Sequence, residues 1–312
     1  TYPEREHVVQ FQESDLDFIS RLLEHEGIFY YFEHSGSAEM LVFGDSVADY
    51  DGRAPLSLSY RPQGGIGAGK QDATDWNEPE AVTRFVYEHR IVPGAVTLND
   101  YNYRTPSTAL NLAKPFAPPA PTRAGTQYEH GDHHKTPAEA QALAQVREEE
   151  ILCREKRFTG AGTCKGFHAG ALFSLDGHYQ FDGRYLLAEV TQSGQQELSL
   201  GTAGRILAKY SNEFVSLPST QAYRPERVTP KPRIPGSIHA VVDGSGSNSY
   251  AELDSQGRYK VQLQFDLSGN GGGKASRYVR LARPYAGPGY GLHLPLHKGT
   301  EVLLTHVNGD PD

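Results

Sequence analysis

Cysteine is nearly absent from this chain of 312 residues: there are two, with one methionine and one tryptophan. Two cysteines cannot build the cross-linked framework of a small secreted scaffold, and Cys153 and Cys164 match neither a zinc nor a redox spacing. They read as two small, buried or half-buried thiols in a reducing compartment. No run of 18 apolar residues occurs, and the N-terminus lacks the charged, apolar and small-residue succession of a secretory signal. The expectation is a soluble chain that does not use the general secretory route. Residues 64–70, GGIGAGK, have glycine and lysine but not the order of a phosphate loop, because Gln71 follows Lys70 and no helical pattern opens there. A surface turn is expected instead. GxSxG and catalytic-cysteine patterns are likewise missing.

Length allows roughly two domains of about 150 residues, each able to bury an ordinary core. The net charge of −8 is uneven: from Tyr223 onward 11 Lys and Arg face 8 Asp and Glu, leaving the body acidic and the end mildly basic. An acidic body argues against generic nucleic-acid binding.

The strongest local signal lies near the front. Ser14 is placed to cap a helix, with Asp15 and Asp17 at its positive end and Asp17 at capping-box spacing. Leu16, Ile19, Leu22 and Leu23 then fall on one face, which is expected to be buried. Gly27 supplies the left-handed turn that ends the helix, and Ile28–Phe32 follow as an aromatic and β-branched run. Ser35, Gly36 and Ser37 make a turn before Met40–Phe43, so a hairpin is predicted, closed by Gly44 and Asp45.

Further on, residues 51–76 read as a loop-rich connector, and Ala81–Arg90 and Ala95–Tyr103 as two strands of one antiparallel sheet around Pro93 and Gly94. Proline-rich residues 115–121 interrupt regular structure. In 128–135, YEHGDHHK, the residues His130, Asp132, His133 and His134 have metal-ligand chemistry. Neighbours on a strand point to opposite faces and no second histidine pair stands nearby, so a solvated loop is expected. A second helix opens at Thr136 with Pro137 at its first position and Glu139 completing a capping box. It is predicted to run to about Phe158, with Arg147–Glu150 on a solvated face and Gly160 and Gly162 ending it.

Short strands with glycine turns then predominate: Gly170–Leu175, Gly183–Gln192 and Arg205–Val215, a small antiparallel barrel or sandwich, with Glu189 at an edge or an exposed face. Residues 223–233, YRPERVTPKPR, hold three prolines and read as a semi-rigid domain boundary. After it, strands are predicted at Ile234–Val242, Arg258–Phe265, Tyr278–Leu281 and Glu301–Val307. Tyr259, Val261, Leu263 and Phe265 share one face, as in a small closed barrel. Arg277, Arg280 and Arg283 near Tyr278 and Tyr285 could make a basic aromatic groove for single-stranded nucleic acid, or could cover the sheet.

Residues 2–34, YPEREHVVQFQESDLDFISRLLEHEGIFYYFEH, resemble the signature region of VgrG proteins, the trimeric spikes of bacterial type VI secretion systems, which are similar in turn to the hub and needle of contractile phage tails. The likeness continues through DYNYRTP (100–106), FSLDGHYQFDGRYLLAEVTQSG (173–194), the boundary at 223–233, and the end of the chain, which is similar to the oligonucleotide-binding-type barrel at the base of such needles. The resemblance implies a mainly β fold with some α: an antiparallel β-barrel hub domain with two helices (1–222, with a segment expected before it), a Pro-rich linker (223–233), and a small OB-type β-barrel (234–312) from which a β-helix needle would continue. It further implies a homotrimer seated on an inner-tube ring protein (Hcp-like), with a tip protein (PAAR-like) and effectors carried through the needle. Such a chain would wait in the bacterial cytoplasm before firing, leave by the type VI system, meet membrane only by puncturing it, bind no nucleic acid, and have no catalytic, cofactor or metal residue. A phage-tail or related contractile-injection baseplate hub is the alternative. A metal-dependent hydrolase at His130–His134 and a single-strand nucleic-acid binder stand behind both.

Overall fold

The structure, a computed structural model, describes residues 2–35, 38–62, 79–196, 198–199, 205–206, 208–247, 249–287 and 289–312. The turn expected at Gly36–Ser37 and the GGIGAGK segment lie outside the described residues. In chain order the first elements are α1 (Asp15–Glu26), β1 (Phe29–Ser35), β2 (Ala38–Gly44), β3 (Leu56–Tyr60), β4 (Ala81–His89), β5 (Ala95–Asp100), β6 (Leu110–Pro115), β7 (Thr126–His130) and α2 (Pro137–Leu152). Next come β8 (Lys156–Gly162), β9 (Leu172–Asp176), β10 (Gly183–Gln195), β11 (Leu198–Ser199), β12 (Arg205–Ile206) and β13 (Lys209–Pro218). The last are β14 (Ser237–Asp243), β15 (Lys260–Leu263), β16 (Ala286–Gly287), β17 (Tyr290–Gly291) and β18 (Glu301–Thr305). The chain divides into two compact units, residues 22–228 and residues 1–21 with 229–312. The mainly β class with two helices and a barrel is as the sequence predicts.

The larger unit is built on a closed barrel of order β10-β13-β8-β4-β3-β9. Its pairs are antiparallel except at β3, which runs parallel to both β4 and β9. Aromatic rings fill it: Phe85 stacks on Phe158 at 5.0 Å, and Phe173, Tyr185, Phe167 and Phe214 close around them. Gly160 allows this packing, since a side chain there would lie 2.2 Å from the Phe214 ring. A second core lies between α2 and the sheet β6-β5-β7, where Val96 and Leu98 meet Leu143, Ala144 and Ile151. A third lies under the β1–β2 hairpin: Phe29, Tyr31, Tyr50 and Leu186. β10 serves two of these cores, sending Leu187 into the barrel and Leu186 to the hairpin.

The smaller unit carries the sheet β15-β14-β18. Tyr259, Val261 and Leu263 are buried and Gln262 and Gln264 exposed, so the alternation predicted for 259–265 holds. The N-terminal arm belongs to this unit. Phe11 packs on Phe265 at 5.0 Å, and the Val9 N–H donates to Asp312 Oδ1 at 2.8 Å. The buried guanidinium of Arg21 then donates to Glu13, to Asp312 Oδ2 at 2.6 Å and to the Val9 carbonyl at 3.0 Å, so one side chain ties three chain segments.

Several expectations are corrected. Leu16 and Ile19 are exposed, and the buried positions of α1 are Arg21 and Glu24. Arg21 is buried in ion pairs with Glu13 and Asp312, and Phe18, Leu22 and Leu23 are half-buried. The cap itself forms: Ser14 Oγ accepts from the Asp17 N–H at 3.1 Å. α2 stops at Leu152, six residues short of the predicted end, because 156–162 pairs with both β4 and β13. Ala81–His89 and Ala95–Asp100 do not share a sheet; the first is in the barrel and the second pairs with β6 and β7. The connector hides a strand, Leu56–Tyr60, whose LSLSY alternation was the available signal. Tyr278–Leu281 contributes only the isolated bridge Tyr259–Val279. The segment 223–228 is knit into the larger unit by Tyr223, Arg224 and Arg227 instead of standing free of it.

Candidate assembly surface

A two-stranded hairpin has two faces, and residues alternate between them. In β1–β2 the pairs Phe29–Gly44 and Tyr31–Val42 face inward, while Tyr30–Phe43, Phe32–Leu41 and His34–Glu39 face outward. The inner face is fitted closely to two glycines: a side chain at Gly44 would lie 2.5 Å from the Phe29 ring, and one at Gly170 would lie 2.7 Å from Tyr31. The hairpin is therefore firmly seated.

Its outer face is apolar as well. Tyr30, Phe32, Leu41 and Phe43 are 37, 47, 44 and 50% exposed, and the Tyr30 ring meets Phe32 edge-on at 6.2 Å and Phe43 at 6.4 Å. With about 150–250 Å² in an aromatic side chain, the four present on the order of 300–400 Å² of contiguous apolar surface, within the roughly 300–600 Å² of the largest patch on an ordinary monomer, which is often functional. His34 and Glu39, 3.6 Å apart and well exposed, give it a polar rim. Covering such a face gains up to about 10 kcal/mol at about 25 cal/mol per Å². That is comparable to the roughly 4–15 kcal/mol that association costs, so a stable complex needs more contact than this face alone.

The smaller unit carries an apolar face of its own. Tyr285, Tyr290, Leu292 and Leu294 are all more than half exposed, with the two tyrosine rings 5.3 Å apart. The β16–β17 pair and the bond from the Leu292 N–H to the Tyr285 carbonyl, 3.0 Å, hold the tyrosines side by side.

The residues with metal-ligand chemistry in 130–134 are dispersed. His130 is exposed on β7, and His133 sits at a left-handed backbone position with its side chain outward. His134 is buried and donates from Nε2 to the Leu110 carbonyl at 3.0 Å. Asp132 turns the other way, 3.4 Å from His25 Nδ1 and 3.5 Å from Arg147 Nε. Burial raises the Asp132 carboxyl, but the His25 hydrogen bond and the charges of His25, Arg147 and Arg227 outweigh it and hold the group well below the usual carboxylate range. Among the described residues no group of three His, Cys, Asp or Glu is placed to hold a metal.

The charge run expected to be solvated is largely buried. Arg147 is fully buried, 2.9 Å from Glu150, and Glu148 and Glu150 are buried beside it. Their partners come from β7 and the boundary segment: Arg227 donates to Glu129 at 2.6 and 3.0 Å and lies 3.2 Å from Glu150. In the smaller unit two of the three candidate groove arginines donate to backbone carbonyls, half-buried Arg283 to that of Gly257 and exposed Arg277 to that of Asp312. Both cysteines are free and buried, and burial pushes their thiols up to about 11 at Cys153 and about 12 at Cys164. They are packing groups rather than nucleophiles.

Comparison with known proteins gives the surface its context. The profile of the phage tail baseplate hub (GPD) family matches residues 1–198, and that of the type VI secretion system/phage-baseplate injector OB domain matches residues 250–312. Two Pseudomonas aeruginosa proteins, the type VI secretion system spike proteins VgrG1b and VgrG1a, are 28 and 30% identical over the whole of this chain, which covers 41 and 47% of them. The chain thus spans less than half the length of these relatives. The Escherichia coli c3393 protein, described as a type VI secretion component with structural similarity to the T4 tail proteins gp27 and gp5, shares the fold. Its TM-score is 0.57 at 22% identity, over all of this chain and 62% of that one. Among the described residues no helix is long and apolar enough to cross a membrane.

Proposed function

Because the chain belongs to the phage tail baseplate hub family, in its VgrG branch, we propose that it is the hub and needle-base part of a type VI secretion spike, closed into a homotrimer by its two apolar faces. In this reading residues 1–222 make the hub, 223–233 join it to the needle base, and 234–312 form that base. The work is mechanical: a spike must stay intact under thrust, which needs large buried interfaces and no reacting side chain. The observation that carries it is that each unit keeps an apolar face of aromatic and aliphatic side chains uncovered in the single chain. A cyclic three-fold assembly covers both, and it presents equivalent sites to a ring-shaped tube.

The relatives are named as type VI secretion system spike proteins, and the remaining parts of the reading extend that role. An inner-tube ring protein would seat the hub, while a tip protein and effectors would ride on segments beyond the needle base. The chain would assemble in the cytoplasm and leave with the spike. A phage or contractile-injection baseplate hub is the second reading, favoured by the baseplate families that match.

The first test is solution mass. Purified chain is expected at about three times the 34.3 kDa subunit mass. Phe32→Ser with Leu41→Ser should shift it toward single subunits while leaving the far-ultraviolet spectrum unchanged. A folded single subunit at high concentration in the unmodified protein would sink the proposal. Capture of a tube-ring protein, by contrast with a phage baseplate partner, decides between the two readings.

A further inference from the structure

The joint between α1 and β1 is held from outside. A helix leaves its last carbonyls without partners inside it, and here one arginine takes such a carbonyl while a second takes the one just past the helix end. Arg147 of α2 donates from Nη2 to the His25 carbonyl at 2.6 Å, and Arg224 donates from Nη1 to the Gly27 carbonyl at 2.9 Å. Gly27 has φ of 71°, and a side chain there would lie 2.4 Å from Val146 and 2.9 Å from Arg224. The turn is thus pressed between α2 and the boundary segment.

Arg224 also donates from Nε to Glu149 Oε2 at 2.7 Å, so its fork bridges α2 and the joint. The preceding residue reaches the other side. Tyr223 sets its ring edge-on to Phe29 at 5.8 Å, and its N–H donates at 2.8 Å to the Tyr50 hydroxyl, which itself donates to the Gln221 carbonyl at 2.8 Å. Burial pushes both tyrosine hydroxyls up to about 12, which keeps them neutral. Two consecutive residues therefore touch the carbonyl just before the hairpin and the first ring inside it.

We propose that Tyr223 and Arg224 are positioning residues for assembly: they fix the pose in which the β1–β2 hairpin shows its Tyr30, Phe32, Leu41 and Phe43 face to a second copy of this chain. This rests on the reading of that face as a subunit interface. A planar fork satisfies Glu149 and the Gly27 carbonyl together, whereas one ammonium on a flexible stem serves a single partner well. The boundary segment thereby acts on the interface without belonging to it.

The experiment compares Arg224→Lys, Tyr223→Ala and the face variant Phe32→Ser with Leu41→Ser, all in the full chain. Association is followed by sedimentation velocity over a dilution series. Amide hydrogen exchange is read under fully dissociated conditions, comparing residues 29–44 with β10 and β13. In Arg224→Lys and Tyr223→Ala we expect association weakened about ten-fold and hairpin amides exchanging about ten-fold faster, with barrel amides unchanged. The face variant should weaken association with hairpin exchange unaltered. If Arg224→Lys and Tyr223→Ala leave both readouts unchanged while the face variant dissociates the assembly, the positioning role falls alone. Uniformly faster exchange across the unit also overturns it, since that marks general destabilisation. If the face variant leaves association unchanged, the interface reading falls, and this inference falls with it.

Discussion

A single guanidinium sets much of the larger unit's electrostatics. Arg147 is fully buried, donates to Glu150 and the His25 carbonyl, and lies within 3.8 Å of Glu129 and Asp132. Removing a partner from such a buried group leaves the others as uncompensated charge, so Arg147→Ala should destabilise the unit by about 3–5 kcal/mol. Chemical denaturation followed by tyrosine and tryptophan fluorescence checks this, and a loss under about 1 kcal/mol would show the network to be dispensable. The sequence could not reveal this burial. An REEE run on a helix reads as solvated unless its partners are known, and these come from β7 and from residue 227, far away in the chain.

At the scale of elements, what was legible was local chemistry, and what was missed was long-range pairing. Ser14, Thr136 and Pro137 mark helix starts because capping is decided within four residues, and both caps form. The end of α2 was misplaced because Gly160 looked like a helix stop. Its role is set by β13: the Phe214 ring occupies the space a side chain would need. Gly160→Ala should accordingly cost roughly 1–3 kcal/mol by overpacking the barrel. Gly52→Ala, at a position with open space around it, is the matched control and should be near neutral. Paired thermal melts test both, and equal midpoints would refute this account of Gly160. The hairpin was legible as an element, but one alternating strand pattern cannot tell a face covered by its own chain from one awaiting a neighbour.

For the whole molecule, the two units should answer differently to acid. His7 is held below the ordinary histidine value by burial first and by the Arg277 charge next. His306 is lowered by burial, with Asp310 opposing and Arg277 adding. A depressed folded-state pKa means the folded form prefers the neutral ring, so the stabilisation is complete above about pH 6.5 and is lost as pH falls. In the larger unit the depressed Asp132 carboxyl contributes above about pH 4 and is lost only below it. Calorimetry from pH 7.5 downward should therefore show the smaller unit's transition falling first. His7→Gln with His306→Gln should flatten that fall, and a pH-independent transition in the unmodified chain would contradict the assignment.

The family resemblance was legible across the chain, whereas the membership of the first 21 residues was not. Nothing in residues 2–21 announces a partner some 290 positions away, yet Arg21 and Val9 both close on Asp312. The smaller unit is consequently a discontinuous body whose opening and closing stretches are separated in sequence by the whole of the larger unit. A fragment cut at the proline-rich boundary would leave behind its own arm, and during synthesis residues 9–21 must wait for residue 312 before either is secured.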